Sequence, residues 1–163
     1  TGSSRGLRLW AFGLLTLLCL QVTYGAFISG SKAGYGFHTF PKMGDDWIPQ
    51  NFFGDRLSVW KNFFEYPVFI QFFHRWLGTV LTLGTIGFGW IALRSCGLSE
   101  LQRRRIIWVI GLVVTQFCLG VVTILFLPEV PILLPVIHQL VALLLFAAFL
   151  AFIHSIVKHS PEQ

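Results

Sequence analysis

Two of the chain's five histidines, His74 and His138, lie where an imidazole is costly to hold. Each sits about seven residues inside the outer end of its own long apolar run, after a proline region, Pro67 before His74 and Pro135 before His138. A polar group in hydrocarbon must find a partner. Two imidazoles at matching depth on two helices suggest a single ion or cofactor between them. Zinc wants three or four His, Cys or carboxylate ligands, and non-haem iron wants an added carboxylate. No thiol or carboxylate is placed to join this pair. Haem needs only axial ligands and a large apolar slot, which Phe72, Phe73, Trp76, Leu77 and Leu140 are expected to supply. Iron held by histidine on both faces has no open position and suits electron transfer. His74 and His138 are therefore read as the metal ligands, against the competing reading of two satisfied core histidines.

The residues around them repeat. Gln21-Val22-Thr23-Tyr24-Gly25 and Gln116-Phe117-Cys118-Leu119-Gly120 share the pattern Gln-x-x-x-Gly, each in the run before a histidine. Each histidine is followed by a polar residue, Arg75 or Gln139. The chain thus reads as two copies of one helix pair, and such pseudo-symmetry commonly places a site on its axis. Gly25 and Gly120 suit either close helix approach or a flat macrocycle against the backbone. Gln21 and Gln116 suit either a bond across the bundle or a ligand's polar edge. Arg75 is the natural partner for haem carboxylates, with snorkelling to the interface as the alternative. His38 reads as a solvated loop residue, and His154 and His159 as interfacial ones. Cys19, Cys96 and Cys118 read as small apolar filler outside any disulfide.

These side chains need membrane helices to position them. The chain has 163 residues, 55% hydrophobic and only 12% charged, about half the charge of a soluble domain. Four stretches, near 9–29, 67–93, 106–127 and 131–157, reach the roughly 20 apolar residues that cross a bilayer. Runs of that length span lipid as helices. The expectation is an all-α membrane protein, a single four-transmembrane-helix bundle of two pseudo-repeated helix pairs occupying residues 1–163. The net charge of +5 is no nucleic-acid footprint, because the basic residues cluster at span ends. Arg5 and Arg8 precede the first span, Arg94, Arg103, Arg104 and Arg105 fill the second loop, and Lys158 follows the last span. The positive-inside rule puts both termini inside and both histidines near the outer face. The outer loop, 30–66, is long, aromatic and rich in glycine, as lids and binding segments are. A short amphipathic helix is expected near 55–64. The chain starts at Thr1, which suggests a fragment or a processed product. Its first apolar run is kept as a span, being too long for a signal peptide.

Several stretches taken together resemble a known family. They are Gln21 to Phe27 with Lys32-Ala33-Gly34, then Thr39-Phe40-Pro41-Lys42-Met43, Gln71-Phe72-Phe73-His74-Arg75, Gln116 to Gly120, and His138-Gln139. Over about 17–158 the chain is similar to haem A synthase, the membrane enzyme that converts haem O to haem A for cytochrome oxidase. The usual member has eight spans in two four-helix halves, and this chain resembles the second. The resemblance implies a cofactor haem b on His74 and His138, with the substrate haem O in an N-terminal half. That other half carries a Glu three residues before its first histidine and often paired loop cysteines. Here the position is Gln71 and the loop has no cysteine. The implied role is an oxidoreductase's electron-relay part, serving oxidation of a haem O methyl group to a formyl group. Catalytic residues of this chain are then unknown. The cofactor-binding set is His74, His138, Arg75, Gln21, Gln116 and Gln139. Candidate partners are the lipid bilayer, a second copy, and haem O synthase. The compartment is a bacterial plasma membrane or a mitochondrial inner membrane. The alternatives are a compact four-span member working as a homodimer, a stand-alone bis-histidine membrane cytochrome of b type, and a structural subunit whose histidines bond neighbouring helices.

Overall fold

A computed structural model describes residues 2–54, 58–95 and 97–158. Four long helices carry the expected spans: α1 (Gly2–Ser31), α3 (Pro67–Ser95), α4 (Glu100–Phe126) and α5 (Leu133–Lys158), with a short α2 (Val59–Glu65) in the long loop. All four are long and apolar enough to cross a membrane. At 26 to 30 residues each they measure about 40 Å, more than a hydrocarbon core needs. The protein is an all-α, four-helix membrane bundle.

Two helices begin well before their apolar runs, and local chemistry explains α4. Ser99 accepts a hydrogen bond from the Gln102 backbone N–H while the Gln102 side chain accepts from Ser99 N–H, a complete capping box. This satisfies donors that would otherwise be orphaned at the helix start, so α4 starts at Glu100 and carries the arginines inside its first turns. α1 stops where Lys32 takes a left-handed conformation (φ 55°), the usual stereochemistry of a helix stop. Pro67 opens α3, where a missing N–H is harmless. A short loop helix is present at Val59–Glu65; residues 55–57 of the expected stretch lie outside the described residues.

Helices α1 and α3 form one tight pair and α4 and α5 the other; α3 packs on α4 and α1 on α5, closing a four-helix ring. One end of the ring holds the chain termini and the α3–α4 connection, and the other holds the long loop and the short α4–α5 connection. The main core fills the terminal end: Ala11, Leu14 and Leu18 of α1 meet Phe88, Val109, Phe149 and their neighbours. There α3 and α4 approach so closely that a Cβ on Gly89 would meet Ile110. Polar side chains of this end also tie the helices together. Gln102 donates to the Ser155 carbonyl (2.9 Å), Arg105 to Ala151 (2.7 Å) and Arg103 to Leu93 (3.1 Å); Ser155 and Leu93 lie in the last turns of α5 and α3, whose carbonyls lack helical partners.

The loop end is packed unequally. Tyr24, Ala33 and Ile70 make a small second core between α1 and α3. By contrast no residue at 114–126 of α4 or 133–144 of α5 is buried. The outside of the bundle is apolar, with Leu9, Phe12, Leu83, Ile107 and Leu143 exposed, as lipid requires. All six tryptophans are exposed. Trp47, Trp60 and Trp76 lie toward the loop end and Trp10, Trp90 and Trp108 toward the terminal end, as two interfacial girdles do. Cys19 and Cys118 are free and exposed, and His154 is exposed. Cys96 and His159 lie outside the described residues.

Candidate functional site

The repeat seen in the sequence is a repeat of contacts. Gln21 Nε2 lies 3.1 Å from His74 Nε2, and Gln116 Nε2 lies 3.1 Å from His138 Nε2. In both pairs the amide N–H donates to the imidazole. One turn further along the same helix, a Cβ on Gly25 would stand 3.4 Å from His74 Cε1, and one on Gly120 would stand 3.1 Å from His138 Cε1. Residues four apart share a helix face. The Gln-x-x-x-Gly spacing therefore grips one edge of the ring with an amide and gives it room with a glycine. Both of the earlier readings of Gln21 and Gln116 started from a need for a partner, and that partner is the histidine of the neighbouring span.

Each pair also leaves something unmatched. His74 Nδ1, His138 Nδ1, Gln21 Oε1 and Gln116 Oε1 are all buried with no hydrogen-bond partner. Each imidazole thus has one ring nitrogen held by an amide and one without a partner. Among the described residues no group of three or more His, Cys, Asp or Glu side chains comes together, so the donor set of a structural zinc is not present. Two imidazoles within an apolar bundle are a donor set that fits a haem iron.

A strap covers the loop end. Gln71, only 1% exposed, donates to the carbonyls of Phe37 (3.0 Å) and Gly34 (3.5 Å). Arg75, 8% exposed, donates to Thr39 (2.6 Å), Phe37 (2.7 Å) and Lys42 (3.3 Å) carbonyls. Arg75 therefore does not snorkel; two of its three nitrogens hold the strap, and Nε is buried without a partner. From the strap's other side His38 Nδ1 lies 3.4 Å from the Ile124 carbonyl and the Phe40 ring packs on Phe117 (5.9 Å). Residues 34–42 thus bridge α3 to α4, across the two helix pairs. His38 is half-buried against α4, not solvated.

Not every expected residue joins the site. Gln139 is on the exposed face of α5. Leu140 is 56% exposed, and Trp76 is exposed against Trp47. Phe72 packs edge-on against Phe52 (4.8 Å) and Phe73 lies tilted against Tyr24 (4.5 Å), while Leu77 is half-buried. The reason is helical geometry: residues two apart point about 200° apart, so Trp76 and Leu140 cannot share a face with His74 and His138. Residues three or four away can. Gly78 was missed on that ground: a Cβ there would stand 2.9 Å from Gln21 Nε2, so its bareness makes room for the amide. Ala142 occupies the equivalent register in α5.

Comparison with known proteins identifies the family. Residues 1–150 match the model of a cytochrome oxidase assembly protein family, COX15-CtaA. The chain is 39% identical over 138 residues to Heme A synthase COX15 of Arabidopsis thaliana, covering 85% of this chain and 29% of that protein. It is 34% identical over 148 residues to Heme A synthase of Rhizorhabdus wittichii, covering 91% and 40%. It is 32% identical over 153 residues to Heme A synthase of Parvibaculum lavamentivorans, covering 94% and 42%. The chain thus spans well under half the length of these curated relatives. No solved structure matches it. By its family match and these relatives, the chain belongs to the heme A synthase family, the cytochrome oxidase assembly proteins of COX15-CtaA type.

Proposed function

We propose that this chain is the haem b-holding, electron-relay part of a heme A synthase, with His74 and His138 as axial ligands. The observation that carries the reading is the duplicated Gln–His–Gly contact, which holds one imidazole in the same way in each helix pair. A haem so held supplies one-electron transfer, and a closed axial set favours that over oxygen activation. The chain's own residues orient the two rings, keep the surround apolar and cover the loop end with the strap. Arg75 is the single buried cation among the described residues, and its positive charge beside His74 favours the carboxylates a haem carries. Gln139 faces away and has no part in this. The basic clusters at the terminal end support a position of the strap and the haem toward the outer side of the membrane.

In this reading the haem O substrate and its methyl oxidation lie with a companion half of the protein. Gln71 supports it: an amide stands where the substrate half of the family carries a Glu, and it is committed to the strap. Two measurements test this. The purified chain in detergent is expected to carry about one haem with a low-spin, six-coordinate spectrum; a preparation with no Soret band after reconstitution with haemin sinks the reading. Gln71→Glu is expected to yield no haem A from haem O by this chain alone. Haem A from that variant would place the chemistry here.

A further inference from the structure

We infer that α2 is a membrane-surface helix: it lies against the loop end of the α1–α3 pair and presses Val59, Trp60 and Phe64 into the lipid headgroup layer there.

The polarity of this helix is inverted. Its inward side carries Asn62, 2% exposed, with the half-buried Phe63. The Asn62 amide accepts from the Gly54 N–H (2.8 Å) and donates to the Ser58 carbonyl (3.1 Å). A polar side chain therefore anchors the inner face. The outward side carries Val59, Trp60 and Phe64. Trp60, 76% exposed, is the most exposed large apolar side chain among the described residues, and Phe64, four residues on, shares its face. A loop helix in water places its aromatics the other way round, because an exposed ring forfeits its hydrophobic free energy. At 7 residues the helix is also too short to hold by propensity alone, so its orientation is imposed by packing.

That packing indicates what covers the apolar face. Phe63 lies against Phe69 of α3 (4.6 Å), and Phe64 meets Phe27 of α1 edge-on (6.0 Å). Phe69 is in the first turn of α3, and Phe27 is one turn before the end of α1. The short helix thus sits beside the last turns of two membrane spans. Leu20, two turns before Phe27 on the same face of α1, is exposed. In a four-helix membrane bundle that face meets lipid. The outward side of α2 continues this lipid-facing strip up to the headgroups, the level that tryptophan favours. Lys61 and Glu65, both exposed, leave α2 without net charge. Apolar area drives the seating, and attraction to anionic lipid does not.

The test uses the full chain in phosphatidylcholine vesicles, with Cys19, Cys96 and Cys118 replaced by serine and a nitroxide attached through Val59→Cys. Electron-spin-resonance power saturation compares collisions with oxygen, which concentrates in lipid, and with a water-soluble nickel chelate. Oxygen is expected to dominate, with the ratio unchanged when anionic phosphatidylglycerol is added. A nitroxide reached mainly by the chelate overturns the inference and leaves α2 as a water-facing surface for a protein partner. One shielded from both reagents also overturns it, since a second copy of the chain then covers the face. If the serine background fails to fold, tryptic cleavage after Lys61 in the same vesicles decides. Trp60→Ser and Phe64→Ser should each speed it about tenfold, the effect of losing one partly buried aromatic, while Trp60→Phe stays close to wild type. Equal rates in all four chains overturn the inference.

Discussion

His74→Ala and His138→Ala are each expected to abolish the low-spin haem spectrum entirely, leaving five-coordinate haem or none. The ring edges are gripped by Gln21 and Gln116 and backed by Gly25 and Gly120, so an alanine leaves a gap that no neighbouring donor fills. The other histidine described at this end, His38, is turned to the Ile124 carbonyl. The chain's one methionine, Met43, is buried in the loop, where its backbone pairs with Asp46. Neither side chain of Cys19 or Cys118 belongs to the interior, since both are exposed. His38→Ala is accordingly expected to leave the spectrum intact. Optical and electron-spin-resonance spectra of the three variants check this. A low-spin signal persisting in both His74→Ala and His138→Ala would remove these residues as ligands.

The second large effect belongs to Arg75. Its guanidinium makes three hydrogen bonds to strap carbonyls at Phe37, Thr39 and Lys42, and hydrogen bonds from a charged donor contribute about 1.5–3 kcal/mol each before non-additivity. Arg75→Ala leaves those carbonyls facing an apolar hole. A loss of about 3–4 kcal/mol is expected, much of it recoverable by water once the strap lifts. Gln71 still ties Gly34 and Phe37, so the damage should concentrate beyond residue 37. The measurement is thermal unfolding together with tryptic cleavage after Lys42, which should become markedly faster. Arg75→Lys should rescue only in part, because an ammonium lacks the planar fork that reaches several carbonyls at once. Unchanged melting and cleavage in Arg75→Ala would show that the strap is held by something else.

The features that were legible in the sequence are those a membrane imposes or a repeat duplicates. Lipid forces helices and sets their length, so the spans could be read to within a few residues. His74 and His138 stood out because an imidazole in such a run is costly, and Gln21 and Gln116 because they recur with a glycine one turn away. What escaped was directional or non-local. Gln139, Leu140 and Trp76 were drawn in by closeness in sequence, yet one or two steps along a helix turn a side chain through about 100° or 200°. Counting three or four residues from each histidine would have found Gly78 and separated Gln71 from its neighbours. The partners Arg75 takes in the fold, backbone carbonyls 33 to 38 residues away in an aperiodic loop, leave no pattern in the sequence. The early start of α4 was written in Ser99 and Gln102, but hydropathy placed the boundary at the first apolar residue instead.

The unequal filling of the bundle has a dynamic meaning. Amides beside Phe149 and Phe152, within the filled end, should exchange with solvent deuterium only when the whole bundle opens. Those of 114–126 and 133–144 should exchange through local excursions. Such a body is clamped at its base and breathes at its mouth. On the haem reading, a guest entering at the mouth would use that motion without melting the clamp, and would protect the loosest part of the protein once bound.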